Sequence, residues 1–166
     1  MTEAREIDRA IAAATGTLAS AGSLDAALEA LASLLSERFT ISRISVRTYV
    51  AWTDEVEITG VWSARPTHLD AGIRVPARST SFAEVERRGS ATLGPPPGTA
   101  DPLLDQIVKD EGNRSWVATP LRGGHGVVGV LSVSSADVDG FTEADLPFFD
   151  ALASALEERL LELAPA

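Results

Sequence analysis

Apolar residues at the start of the chain recur at helical spacing. Ile7, Ile11, Ala14 and Leu18 share one face of a segment from 3 to 20, and Ala21-Gly22-Ser23 then breaks the pattern and supplies Ser23 as a cap. A second helix over about 24–38 repeats Leu24, Leu28, Leu31 and Leu35 on one face, with Asp25 in its first turn, and is suited to lie on a sheet. From Ile41 to Val50 the spacing changes to β-branched alternation; a Thr53-Asp54 turn and a second run from Glu55 to Ser63 make a hairpin. Alternation puts Arg43, Ser45, Arg47 and Tyr49 on one face of the first strand, and Ile44, Val46, Thr48 and Val50 on the other.

Further along, a short strand at Ile73-Arg74-Val75 stops at Pro76. Ser79-Thr80-Ser81 caps a brief helix from Phe82 to Arg88 that Gly89 closes, and a strand from Ala91 to Leu93 follows. Gly94-Pro95-Pro96-Pro97-Gly98 fits neither helix nor central strand, and leads to a short lid-like helix from Asp101 or Pro102 to Glu111. Ser115 to Leu121, a glycine-rich turn at 122–126 and Val127 to Ser134 make a second hairpin, whose second strand is apolar on both faces and therefore central. Phe141-Thr142-Glu143-Ala144-Asp145-Leu146 has the spacing of a capped helix start with a hydrophobic staple, and the helix runs to about Leu163. Pro147 fits only where that helix begins a residue or two later. These elements describe an α/β (α+β) fold in one domain spanning 1–166, with its core over about 20–160 and terminal helices at 3–20 and 142–163.

Composition narrows the chemistry. The chain has no cysteine, which removes disulfides, thiolate metal sites, cysteine nucleophiles and thiol redox sensing. A balance of 24 acidic against 14 basic residues, net −10, repels a phosphate backbone, so no nucleic-acid partner is expected. No apolar run approaches the roughly 20 residues of a membrane span, and the first residues do not read as a secretory signal; no membrane partner and a cytoplasmic location are the expectations. His68 and His125 are far apart and lie in loops, which suits exposed side chains better than metal or haem ligands. Ser79, Ser81 and Ser115 lack the Ser-x-x-Lys or Gly-x-Ser-x-Gly setting of a nucleophile. Asp137 with Asp139, and Glu84 with Glu86, are solvated carboxylates in a loop and on a short helix. Binding without catalysis is the expectation, and no cofactor is identifiable.

Three segments resemble the GAF domain family. They are Leu24-Asp25-Ala26-Ala27-Leu28 with Ile41-Ser42-Arg43-Ile44-Ser45-Val46; Ser115-Trp116-Val117-Ala118-Thr119-Pro120-Leu121 with Val128-Gly129-Val130-Leu131-Ser132-Val133; and Phe141 to Leu146. The resemblance implies a central antiparallel sheet, terminal helices on one face, and short helices and loops forming a ligand cup on the other. It also implies a small-molecule-sensing or dimerising role in signalling. The bilin-attaching and methionine-sulfoxide-reducing members work through cysteine, which is absent here. The Asn-Lys-Phe-Asp-Glu signature of the phosphodiesterase cyclic-nucleotide members is absent too.

Aromatic residues make up only 5% of the chain, and several fall on segments that frame this cup. Arg47, Tyr49, Trp62, Phe82 and Trp116 are the candidate ligand-binding residues, a cationic head with aromatic walls suited to an anionic or heteroaromatic small molecule. The alternative is that the aromatics pack the core and the arginine reaches solvent. A homodimer is also expected, through apolar positions of the terminal helices that include Phe148, Leu152, Leu156, Leu160, Leu161 and Leu163. Read as written, the chain carries no output domain, so signalling would pass through the terminal helices or a partner protein.

Overall fold

The computed structural model describes residues 3–95 and 107–164. In chain order its elements are α1 (Glu3–Ala19), α2 (Leu24–Leu35), β1 (Arg43–Val50), β2 (Glu55–Ser63), β3 (Arg74–Pro76), α3 (Ser81–Arg88), β4 (Thr92–Gly94), β5 (Ser115–Gly123), β6 (Gly126–Ser135) and α4 (Leu146–Leu163). The sheet is six-stranded in the order β3-β2-β1-β6-β5-β4, and every neighbouring pair is antiparallel. This is an α+β arrangement in which β1 and β6 are the central strands, and β6 is buried on both faces from Gly129 to Ser135, one of them carrying Ser132 and Ser134. Most of the lid-like helix expected from Asp101 or Pro102 lies outside the described residues; its end at 107–110 is helical.

One face of the sheet is dry. Ile44, Val46, Val117, Leu121, Leu131 and Val133 are buried there with Leu24, Leu28, Leu31 and Leu35 of α2 and Phe148, Leu152, Leu156 and Leu160 of α4. Burying each such side chain stabilises the fold by about 1.5–3 kcal/mol before entropy is counted. Gly60 shows how close the layers are, since a Cβ there would lie 2.4 Å from a side-chain carbon of Leu24. Of the positions assigned to a dimer face, Phe148, Leu152, Leu156 and Leu160 are thus buried within the chain itself, and Leu161 and Leu163 are half-buried.

The helix ends follow the caps written in the sequence. Ser23 Oγ accepts the Ala26 N–H at 3.1 Å and starts α2. Thr142 and Asp145 make a reciprocal capping box, but it closes a 3-10 turn at Glu143–Asp145, and α4 begins only at Leu146. Pro147 therefore falls in the first turn, where no intrahelical N–H is lost. Arg159 of α4 donates from Nε to the Leu18 carbonyl at 3.1 Å and from Nη2 to the Ala21 carbonyl at 2.7 Å, fastening the end of α1 and the connection to α2. Among the described residues no helix is long and apolar enough to cross a membrane.

Candidate functional site

Strand register determines which side chains share the opposite face. Arg43 stands across from Ser134, Ser45 from Ser132 and Arg47 from Val130 on β6; β5 continues these rows with Trp116, Ala118 and Pro120. Residues directly opposite in an antiparallel pair lie on the same face. The floor is therefore a strip of small residues, Ser45, Ser132 and Ala118, with arginines at its two ends. Arg43, Ser45, Ser132 and Ser134 are all buried. The helix side also buries hydroxyls, at Thr119, Ser115 and Ser135, but among the described residues the buried charged side chain, Arg43, is on this face, and a charge is costly to bury unless something pairs with it.

Above one end of this floor lies α3. Thr80 caps it by accepting the Phe82 N–H at 3.1 Å, and Gly89 ends it in the left-handed conformation, φ 69°. Phe82 is buried in a small apolar cluster with Val56, Ala77, Val85, Ala118 and Val130, against which Tyr49 packs. The Tyr49 and Phe82 rings are stacked, with centroids 4.7 Å apart and planes 10° from parallel. Tyr49 Oη also donates to Asp54 Oδ1 at 2.7 Å, and that bond is the main reason its phenol is held above the ordinary tyrosine value.

The two arginines differ in what surrounds them. Arg43 donates from Nη1 to Thr67 Oγ1 at 2.7 Å and from Nη2 to the Leu69 carbonyl at 2.6 Å. Burial lowers its pKa, while the charges of Glu111 and Asp70 act in the opposite direction. Glu111 in turn accepts from the Thr67 hydroxyl and from the His68 N–H, so Arg43 anchors the loop after β2 and the stretch before β5 in one network. Arg47 donates from Nη2 to Ser81 Oγ at 2.9 Å. Its side chain as a whole is partly exposed, yet its Nε is sealed from solvent and has no hydrogen-bond partner among the described residues. Burial of the guanidinium, aided by the like charge of Arg43, lowers its pKa to about 10.

Of the five residues singled out from the sequence, the structure brings Arg47, Tyr49 and Phe82 together at the α3 end. Trp116 shares their face but lies on the Arg43 row at the other end, its indole over the backbone of β4. A Cβ on Gly94 would sit 2.0 Å from Trp116 Nε1, so only glycine leaves room for the ring in this pose. Trp62 is not on this face. It stands opposite Ile44 and packs against the helix-side core. The reason is a bulge: Val46 pairs with Gly60 and Arg47 with Ile58, leaving Thr59 as the extra residue of β2. Val56 and Ile58 before it face the cup; Gly60 and Trp62 after it face the helices. Thr59 Oγ1 fills the irregularity by donating to the Val46 carbonyl at 3.0 Å.

Sequence reasoning passed over Ser81, Ser132 and Ser134 as site residues. The last two become visible only with the β1–β6 register, and Ser81 only when α3 is placed over β1. Ser115 has a structural role, donating to the Asp137 carbonyl at 2.6 Å and accepting the Gly140 N–H at 3.2 Å. His68 lines an open cleft with Arg65, Pro66, Ile107, Asp110 and Glu111, away from Arg47. His125 is exposed in the β5–β6 turn. Among the described residues no group of three or more His, Cys, Asp or Glu side chains is placed to hold a metal ion.

The GAF domain family model matches residues 21–158. Among solved structures, the chain is similar to free methionine-R-sulfoxide reductase from Neisseria meningitidis in complex with its substrate, with 21% identity, TM-score 0.71, and coverage of 98% of this chain and 93% of that one. It is also similar to the GAF domain of a phosphoenolpyruvate-protein phosphotransferase from Coxiella burnetii, with 14% identity, TM-score 0.73, and coverage of 97% and 96%. The corresponding domain from Acinetobacter gives 15% identity, TM-score 0.70, and coverage of 98% and 96%. At these identities the likeness is one of fold. No curated protein matches the sequence.

Proposed function

The chain belongs to the GAF domain family, and from that premise we propose that it is a non-catalytic regulatory domain that senses a small molecule in the cup between its sheet and α3. The observation that carries this reading is the polar floor. The helix side buries hydroxyls too, but it buries no charged side chain among the described residues, whereas on this face Arg43 is buried with Ser45, Ser132 and Ser134 and Arg47 stands beside them. Thiol chemistry is closed to a chain without cysteine, which separates it from reductases that depend on a thiol.

The same strands offer a route for output. Val46 and Leu131 form the reverse side of β1 and β6 against α2 and α4, so a shift of the floor on binding reaches the terminal helices through two packed layers. The test is thermal unfolding in the presence of a desalted low-molecular-weight extract and its fractions. A ligand at about 100 times its Kd adds about 2.7 kcal/mol to stability, a clear rise in Tm. Absence of any stabilising fraction would defeat the sensing role.

A further inference from the structure

Arg47 Nε is a buried nitrogen donor with no acceptor among the described residues. Its guanidinium makes one protein hydrogen bond, to the Ser81 hydroxyl, and takes part in no ion pair among the described residues. What surrounds it worsens the imbalance. The neighbouring charge that acts on it is that of Arg43, and Ser81 is the first residue of α3, the electropositive end of a helix. Thr80 satisfies the Phe82 N–H and leaves the rest of the first turn to other acceptors. A cation facing a cation and a helix N-terminus, with an unused donor, is an arrangement completed by an acceptor of negative charge.

We infer that the ligand of the cup is an organic anion whose carboxylate or phosphate group sits between the Arg47 guanidinium and the N-terminus of α3, accepting from Nε and the adjacent Nη and from the first turn of the helix. The inference rests on the sensing role proposed above and names its chemical class. Carboxylates and phosphates both match the fork of a guanidinium. The remainder of the molecule extends toward Ser45 and Ser132, whose hydroxyls donate or accept. The anion also cancels the charge that Arg47 carries into the interior, so binding draws α3 onto β1 through Ser81 and couples occupancy to the position of that helix.

The test is a titration of the 15N-labelled full chain with inorganic phosphate and, separately, acetate, at constant ionic strength set by sodium chloride. The arginine Nε–H signal lost in Arg47→Lys identifies the reporter. The expected result is a saturable shift of that signal, together with the backbone amides of Ser81 and Phe82, by one anion or both; the more effective one names the group. In Arg47→Lys, which keeps the charge without the fork, the amide shifts require roughly 10- to 100-fold more anion. Ser81→Ala gives a smaller loss and serves where the lysine variant fails to fold. If neither anion moves the Arg47 Nε–H signal at constant ionic strength, the inference falls, even where an extract fraction stabilises the protein and the sensing role stands. If the signal titrates but no extract fraction stabilises the protein, the anion site stands and the sensing role falls.

Discussion

The ring of Tyr49 stacks on that of Phe82 with centroids 4.7 Å apart, and this contact fixes the short helix α3 to the central strand β1. Phe82 is only 2% exposed. Phe82→Ala is expected to cost about 3–5 kcal/mol in urea denaturation and to speed hydrogen exchange at Gly89, whose N–H closes α3 on the Val85 carbonyl. Tyr49→Phe keeps the stack and loses only the Asp54 bond, so its effect on stability is a small fraction of that. Equal losses from the two variants would show that the hydroxyl, and not the stack, holds the helix.

Arg47 makes a prediction about pH. Its pKa in the folded protein is about 10, below the ordinary arginine value, so folding disfavours its charged form. The resulting penalty is present in full below about pH 10 and fades as pH rises from there towards the unfolded value. Arg47→Met removes the buried charge, and its ligand-free form should be more stable than the parent by on the order of 1 kcal/mol near neutral pH. That difference, read as parallel denaturation curves at several pH values, stays level up to about pH 9 and narrows above pH 10. A variant less stable than the parent near neutral pH would mean that the Ser81 bond outweighs the burial of the charge.

Arg43 should behave in the opposite way. Its guanidinium is satisfied by Thr67 and the Leu69 carbonyl, and removing a charged donor from buried acceptors costs about 2–3 kcal/mol. Arg43→Ala should lose that much and should raise hydrogen exchange at His68 and Leu69, whose N–H groups bond to Glu111 and Thr67 in the same network. Unchanged exchange at those amides would contradict the anchoring role.

The two tryptophans separate packing from binding. Trp62→Ala removes a half-buried ring from the helix-side core and should cost about 2–3 kcal/mol with ligand affinity unchanged. Trp116→Ala should weaken binding with a smaller loss of stability. Gly94→Ala forces the Trp116 indole off β4 and should change its fluorescence. If Trp62→Ala alone weakened binding, the assignment of faces would be reversed.

Much of this arrangement was legible in the residues. Alternation from Arg43 to Tyr49 separates the polar face from Ile44 and Val46, and Thr80 with Gly89 delimits α3. Arg47 and Tyr49 share a face by that alternation alone; Phe82 joins them through the family resemblance, which sets the short helices over the cup. Trp62 could not be placed, because alternation along β2 assumes an unbroken ladder; Thr59 bulges out of it and turns Gly60 and Trp62 to the other side. The serines of β6 carry no local signal, since a hydroxyl in a central strand reads the same whichever face it takes until Ser132 is set opposite Ser45. The partners of Arg43 lie in a loop whose Thr67 and Leu69 follow no period. The orphaned Arg47 Nε is a property of packing, not of pattern.

The most direct measurement is native mass spectrometry of the protein purified from its own host, before and after denaturation. The account predicts a single small molecule carrying a carboxylate or phosphate at one per chain, released on denaturation and missing from the Arg47→Met protein prepared in the same way. A mass equal to that of the bare chain in both preparations, with no molecule recaptured from a host extract, would contradict it.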